Sequence, residues 1–318
     1  MRTEESCEYD FRRKGPFWHL YTPGHLTEII FTSREDFILG MNLIAVCLAV
    51  FPQLRIITFT LMNNHLHIIL AGDREDVLAF FALFRRRLSR YLSGKGHYPD
   101  LSDFHPDLYE IPDLRALRNE IVYVNRNGYV VQPEHTPYSY LWSAGVLYFN
   151  PLLRLLPRRR LLTLSQQEQR ALYHGRLISL PEHYEVCEGL IAPSSYCAIT
   201  EGESYFRNAH HYFQLLSRNQ EAGSGIAKRL ADTSFLTDEE LFGVARTLAA
   251  QEHGIRSLTM LTPEAKTSLA KKLYFDYKAS TRQLKRLLRL DDKVLEALFP
   301  SAWQGGAVGS RSYRNGRQ

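Results

Sequence analysis

Residues 61–70 read LMNNHLHIIL. Two histidines, His65 and His67, stand one residue apart in an apolar run, and the folding of that run decides how the rest of the chain is read. The β-branched and leucine side chains that follow, bounded by Asn63-Asn64 on one side and Gly72 on the other, predict a strand over 65–72. LRIITFTLM (54–62) predicts the strand before it, with Asn63-Asn64 as the turn or bulge between them. On a strand, residues i and i+2 project from the same face. Both imidazoles therefore leave one face of the sheet, and Leu66 leaves the other, toward the expected helices. The pair is close enough to share one divalent metal ion. It is equally compatible with a half-exposed strand that carries two incidental histidines.

Working outward, FWHLYT (17–22) alternates and predicts a first strand, and LTEIIF (26–31) a short extended piece. Ser33, followed by Glu35 and Asp36, forms a capping region. Phe37, Met41, Ile44, Ala45 and Leu48 then recur at helical spacing. Asp73 opens a helix that runs to residue 92. Residues 93–112 read as irregular, with a short strand near LYEI (108–111). Pro112-Asp113 begin a further helix, which Gly128 is expected to end. The order β-α-β-β-α-β-α matches the split β-α-β arrangement of ferredoxin-like domains. The expected fold is thus α+β, an antiparallel sheet with helices on one face, followed by a mostly helical C-terminal region. The expected divisions are a flexible N-terminus (1–16), the sheet domain (17–150), a helical extension (151–260) introduced by the linker-like NPLLRLLPRRR, a helix-turn-helix-like module (261–300) and a disordered basic tail (301–318).

The 318 residues suffice for a catalytic domain and a smaller second one. Net charge is +5 and the sequence pI about 8.9, so the placement of charge matters more than its sum. Arg85, Arg86, Arg87 and Arg90 form one cluster, Arg158–Arg160 another and residues 266–293 a third, while Arg311, Arg314 and Arg317 lie in the tail. Repeated basic clusters point to an anionic polymer, with solvated helix faces as the plain alternative. Arg85, Arg86 and Arg90 would offer DNA a helix surface, and Arg126 lies beside the candidate site. Within 262–299 the caps Thr262, Ser280 and Asp291 or Asp292 predict three short helices, either a DNA-binding helix-turn-helix or a packing unit. Lys285, Arg286 and Arg289 are its expected phosphate contacts. The four cysteines lack CxxC spacing, which excludes a zinc ribbon and predicts free thiols in a reducing cytoplasm. The charged N-terminus has no apolar h-region, and no apolar run reaches membrane-spanning length, so no membrane partner is expected.

Tyr123 and Asn127 are four residues apart and share a helix face. A tyrosine hydroxyl and an amide oxygen there would supply a nucleophile and a third metal ligand, although Tyr123 alone equally fits a core aromatic. Arg118 and Arg126 flank them. His19 and His25 flank the first strand, within reach of a substrate. His210-His211 are adjacent on a helix, point about 100° apart and are not expected to ligate together.

Met62-Asn63-Asn64-His65-Leu66-His67 resembles the M-x-N-H-x-H motif of HUH (His-hydrophobic-His) endonucleases, and more narrowly that of the single-tyrosine transposases of the REP-associated family. The family's downstream Y-I-x-x-N-P segment is similar to Tyr123-Val124-Asn125-Arg126-Asn127-Gly128 here. Its Trp-Ser trailer is similar to VVQPEHTPYSYLWSAG, with Trp142 and Ser143 in place, and FWHLYTPGHLTEIIF resembles its first strand and loop. The resemblance covers residues 17–150. Gly128 stands where the family has proline, and the family's glycine-aromatic-Gln-Gly-Arg-Phe stretch is not visible in GKGHYPDLSDFHPDLYEI.

The resemblance implies an HUH core and a nucleoid-associated cytoplasmic enzyme of DNA transposition or recombination. Its substrate would be single-stranded DNA beside a hairpin. His65, His67 and Asn127 would hold Mg²⁺ or Mn²⁺, and Tyr123 would form a 5′-phosphotyrosine intermediate. A monomer suffices if the tyrosine helix packs on its own sheet, and a dimer shares the site if that helix swaps. Two alternatives stand beside this reading. One is a DNA-binding protein that keeps the fold without the reaction. The other is a metal-dependent phosphoesterase that uses the histidines with a carboxylate such as Glu120.

Overall fold

The computed structural model describes residues 2–24, 29–96, 99, 101–130, 138–175, 179–218, 226, 229, 238–255, 257–277, 279 and 281–299. His25, Ser280, the tail 301–318 and residues 26–28 of the extended piece expected at 26–31 lie outside the described residues. The chain divides into two compact units, 1–232 and 233–318. No helix among the described residues is long and apolar enough to cross a membrane.

The first unit is built on a four-stranded sheet. Strands β1 (Phe17–Tyr21), β2 (Arg55–Leu61), β3 (Leu66–Ala71) and β4 (Asp107–Glu110) lie in the order β2-β3-β1-β4, antiparallel at every pairing. With α2 (Arg34–Leu48) between β1 and β2 and α3 (Arg74–Gly94) between β3 and β4, this is α+β with the split β-α-β order expected from the sequence. His67 sits opposite Thr60 on one side and Tyr21 on the other, while His19 sits opposite Ile69 and Tyr109. Alternation then puts His19, Tyr21, Thr60, His67 and Tyr109 on one face.

The helices cover both faces of the sheet, not one. On α2, a Cβ added at Gly40 would meet Leu61 at 2.6 Å, so α2 lies on the Leu61 face. Helix α4 (Leu114–Val130) lies on the other, where the Thr60 hydroxyl donates to the Val124 carbonyl at 2.6 Å. The face carrying His67 is therefore roofed by the tyrosine helix. Nor does Gly128 end that helix, which continues to Val130. Gly128 serves close approach instead, since a Cβ there would lie 2.1 Å from the Tyr140 ring.

Two other expectations are corrected. Residues 1–16 are not a flexible lead-in: α1 (Glu4–Lys14) is capped by Thr3 and tied to α4 by the Arg118–Glu4 ion pair. Residues 151–232 do not form a separate helical extension but belong to the first compact unit, and Ala198 joins residues 140–148 in closing the exposed edge of β2. Its outer backbone groups would otherwise be left unpaired. Tyr140 donates to the Leu61 carbonyl at 2.8 Å, and the Leu61 amide donates to the Trp142 carbonyl at 2.9 Å. The Ser143 and Tyr148 hydroxyls donate to the Phe59 and Ile57 carbonyls, and the Ala198 amide to the Ile56 carbonyl. The expected linker includes β5 (Arg159–Arg160), which pairs with β6 (Glu185–Cys187), itself paired with β7 (Leu190–Ile191). Buried Asn42 of α2 fastens this small sheet, donating to the Leu172 and Gly189 carbonyls and accepting from the Ile191 amide.

The second unit has its own core, formed by Leu241, Leu248, Leu269, Leu273, Leu284, Leu288, Leu295 and Phe299 among others. Its helices are Asp238–His253, Pro263–Asp276, Thr281–Leu288 and Asp292–Leu298. The last three occupy the span read as helix-turn-helix-like, but a further helix, 238–253, shares their core.

The cap of α2 carries an unusual load of donors. Asp36 accepts from the Thr32 and Ser33 amides and the Thr32 hydroxyl, and from Lys95 at 2.6 Å and Tyr91 at 3.2 Å at the far end of α3. Burial alone would push its carboxyl up, but these donors outweigh burial and hold it at about 2. Because the folded value lies below the ordinary 3.8, the contribution is fully present above pH 4 and is lost as pH falls through 2. Asp36→Asn is expected to lower stability at pH 7 by about 2 kcal/mol and to flatten its fall between pH 4 and 2, as read by urea denaturation. Gly128→Ala is expected to lose about 1–3 kcal/mol by driving a methyl into Tyr140. Gly94→Ala, where nothing lies within 4 Å of the added methyl, should be neutral or slightly stabilising in the same assay.

Candidate active site

Between the sheet and α4 lies a layer of buried polar side chains: His19, Thr58, Thr60, His65, His67, Glu120, Asn125 and Asn127. Polar groups are stable in such a place only when they are paired, and the pairing fixes their orientation. The Thr58 hydroxyl donates to Asn125 Oδ1, and Asn125 Nδ2 donates to the Tyr212 hydroxyl at 3.0 Å. With the Thr60–Val124 bond, these contacts lock the rotation and height of α4 over β2. Helical spacing then turns Glu120, Tyr123 and Asn127 toward the sheet along one stripe.

The histidines occupy that stripe. The Tyr123 ring meets His67 edge-on at 5.6 Å between centroids and His19 at 6.2 Å. His65 and His67 lie 5.2 Å apart, and Tyr21 stacks along His67 at 6.2 Å. Asn127 is about 6 Å further along α4 than Tyr123, and His65 about 6.6 Å back along the strand direction from His67. The amide end of Asn127, Nδ2, is buried and has no hydrogen-bond partner among the described residues.

The bonds at the ring nitrogens define which of them carry protons. Asn64 Nδ2 donates to the Gly24 carbonyl at 2.7 Å, which leaves Asn64 Oδ1 to accept from His65 Nδ1–H, also at 2.7 Å. The lone pair of His65 is therefore on Nε2. Gly24 permits this seat, since a Cβ there would lie 2.7 Å from His65 Nδ1. Around His67, Glu120 Oε2 is 2.8 Å from His19 Nδ1, and His19 Nε2 is 3.0 Å from His67 Nδ1. Burial pushes the His19 imidazole below its ordinary value despite the carboxylate beside it. Burial pushes Glu120 up, but the bond from His19 and the charges of His19 and Arg229 hold it below its ordinary value. Arg229 pairs with Glu120 Oε1, and its guanidinium lies 3.6 Å from the centre of the Tyr109 ring.

The structure brings His65, His67 and Tyr123 together, with Asn127 one helical turn further along α4 than Tyr123. Sequence reasoning did not find Glu120 and His19 as a pair. From the sequence, His19 reads as within reach of a substrate and Glu120 as a carboxylate that would join the histidines, with nothing to pair them. Their joint signal, a histidine two residues before a tyrosine on the central strand and a glutamate three before the helical tyrosine, needs the strand order to be legible. A divalent ion fits the donor chemistry: two imidazoles with their Nδ1 atoms engaged, and an amide that can turn its oxygen inward. Among the described residues no group of three or more His, Cys, Asp or Glu is placed to hold a metal ion.

Arg85 is half-buried and donates to the Leu101 carbonyl at 2.7 Å, Arg86 and Arg90 are exposed on α3, and Arg126 is half-buried on α4. In the second unit Lys285, Arg286 and Arg289 are exposed, with Lys285 paired to Asp292 at 2.6 Å. An apolar cavity of about 600 Å³ beside Trp142, rimmed by Arg34, Arg158 and Arg159, includes none of the histidines or Tyr123. His210 and His211 lie on the helix Ala209–Arg218, where they bond to Gln214 and to the Arg207 amide rather than to a common point.

No protein-family model matches this chain, and neither does any curated protein or solved structure.

Gly24→Ala is expected to displace the His65 ring without unfolding the protein. The check is the imidazole signal of His65 by NMR, which should move while those of His210 and His211 stay in place.

Proposed function

We propose that the protein is a metal-dependent single-stranded DNA nickase and strand transferase that works through Tyr123 and acts beside hairpins. The observation that carries this reading is the joint arrangement of His65 and His67 beside the Tyr123 ring on one roofed sheet face. His65, His67 and Asn127 would hold Mg²⁺ or Mn²⁺. When bound, that ion polarises the scissile phosphate and offsets charge on its oxygens. The Tyr123 oxygen attacks phosphorus as the bond to the 3′ oxygen breaks. The phenol gives its proton to water, and the departing oxygen takes one up to become a 3′-OH. The chain remains joined to the DNA as a 5′-phosphotyrosine, so a 3′-OH from another strand reverses the step without a nucleotide cofactor. The helix α4 packs on its own sheet, which supports a site complete within one monomer. The exposed Arg86 and Arg90, and Lys285, Arg286 and Arg289 in the second unit, supply charge for the DNA backbone.

A second reading, a DNA-binding protein that keeps the fold without the reaction, is favoured by one specific observation. Tyr123 is only 5% exposed, and His65, His67 and Asn127 are 1%, 0% and 2% exposed. One experiment separates the two. The protein is incubated with end-labelled hairpin-flanked single strands from the ends of its own gene, with Mn²⁺, and resolved on a denaturing gel. The nickase reading expects a DNA-linked protein band that disappears in Tyr123→Phe and falls at least about 100-fold in His67→Ala. Hairpin binding without any such band would establish the second reading instead.

A further inference from the structure

We propose that the apolar cavity beside Trp142 is a binding site for a medium-chain alkyl carboxylate, with the hydrocarbon chain inside and the head group held at the mouth by Arg34 and Arg159. The site includes none of the histidines or Tyr123 and stands without the nickase reading.

The walls come from distant parts of the chain. Helix α2 supplies Ile38, the segment that closes the edge of β2 supplies Trp142 and Val146, and Leu153 follows. Val186 of β6 and Leu190 of β7 complete the lining from the small sheet. Two of these walls are fixed from behind, since Trp142 stacks on Phe37 at 5.0 Å and Asn42 fastens the small sheet to α2. The volume of about 600 Å³ falls within the range of about 300–1,000 Å³ usual for small-molecule pockets. Among the described residues that line it, none is Asn, Gln, Ser, Thr, Tyr or His. A sugar, a peptide or a nucleobase would therefore bury donors and acceptors without partners, which costs free energy for every such group. A hydrocarbon chain has none to lose. Leu141 and Leu156, 52% and 49% exposed, carry the apolar lining out to solvent and give such a chain its entry.

The rim is cationic. It holds three arginines and, among the described lining residues, one acid, Glu188. Arg158 is committed to the fold, donating to the Ser194 hydroxyl at 2.7 Å, the Leu153 carbonyl at 2.8 Å and Glu185 at 3.2 Å. Arg34 and Arg159 are held differently. Their side chains are more than half exposed, and their partners Glu188 and Glu168 stand 3.7 Å and 3.5 Å away. Exposed pairs of this kind contribute little, so either guanidinium can turn to a carboxylate at the mouth at small cost. That bond is charge-assisted and can be bidentate. A cationic head group would meet like charge there instead.

Cys187 lines the cavity and is part-exposed, whereas Cys7, Cys47 and Cys197 are buried, so Cys187 reports occupancy in the unaltered protein. The full-length protein, without metal or DNA, is titrated calorimetrically with octanoate, decanoate and dodecanoate. Alkylation of each cysteine by iodoacetamide is followed by peptide mass spectrometry. The expected result is one site per chain and an affinity that rises about fourfold per added methylene. Dodecanoate at about ten times its Kd should slow alkylation of Cys187 about tenfold, and dodecyltrimethylammonium should not. Combining Arg34→Ala with Arg159→Ala, which leaves the apolar walls intact, should weaken decanoate about tenfold and leave decanol binding unchanged. Full reactivity of Cys187 in dodecanoate would overturn the proposal, and so would equal protection by the cationic amphiphile or a folded double variant that binds decanoate normally. Protection by an eight-residue thymidine oligonucleotide and not by dodecanoate would assign the cavity to unpaired bases and overturn it as well. Should the double variant not fold, the arms on the unaltered protein decide alone.

Discussion

The constraint on which the first unit depends is the pairing of polar side chains sealed between the sheet and α4. Two threonines of β2 and a histidine of β1 point into a space without water and find partners at three heights on one helix: Asn125, the Val124 carbonyl and Glu120. Each broken pair would strand a buried donor or acceptor at a cost of about 1–3 kcal/mol. A slide of α4 by one turn would break all three together. Apolar packing alone tolerates such slides more readily, because it has no direction. The helix therefore has one position over the strands, and the placement of Tyr123 against His67 follows from that position.

The same logic explains why the sheet does not end at its own strands. β2 is an edge, and its outward carbonyls and amides take partners from residues 140–148 and 198. Trp142 and Ser143 thus act as a partial fifth strand, with Trp142 stacked on Phe37 of α2 at 5.0 Å. Segments far apart in the chain are drawn into one unit, with Asn42 joining α2 to the small β5–β7 sheet.

Much of this was legible in the sequence wherever local chemistry settles the outcome. The β2 and β3 strands follow from β-branching, and the start of α2 follows from Ser33 and Asp36, which form a capping box. The common face of His65 and His67 follows from a period of two. What could not be read was what faces what. Gly128 reads as a helix stop because glycine usually is one there, and only the Tyr140 ring against it shows a packing role. Residues 4–14 look like a charged lead-in, because the salt bridge that holds them comes from Arg118, more than a hundred residues away. The edge-covering role of residues 140–198 is likewise invisible without the strand order. The link between Glu120 and His19 spans 101 residues, and neither side chain has a local pattern to announce it.

The burial of Tyr123 carries a kinetic meaning. A phenol with one-twentieth of its surface exposed cannot meet a polymer by collision, however well its neighbours are arranged. A large molecule meets it only when the chain around it opens, and in the proposed reaction the frequency of that opening would cap the rate. The closed form has a compensating property. In a dry, low-dielectric pocket, fixed charges and dipoles act more strongly than they do in water.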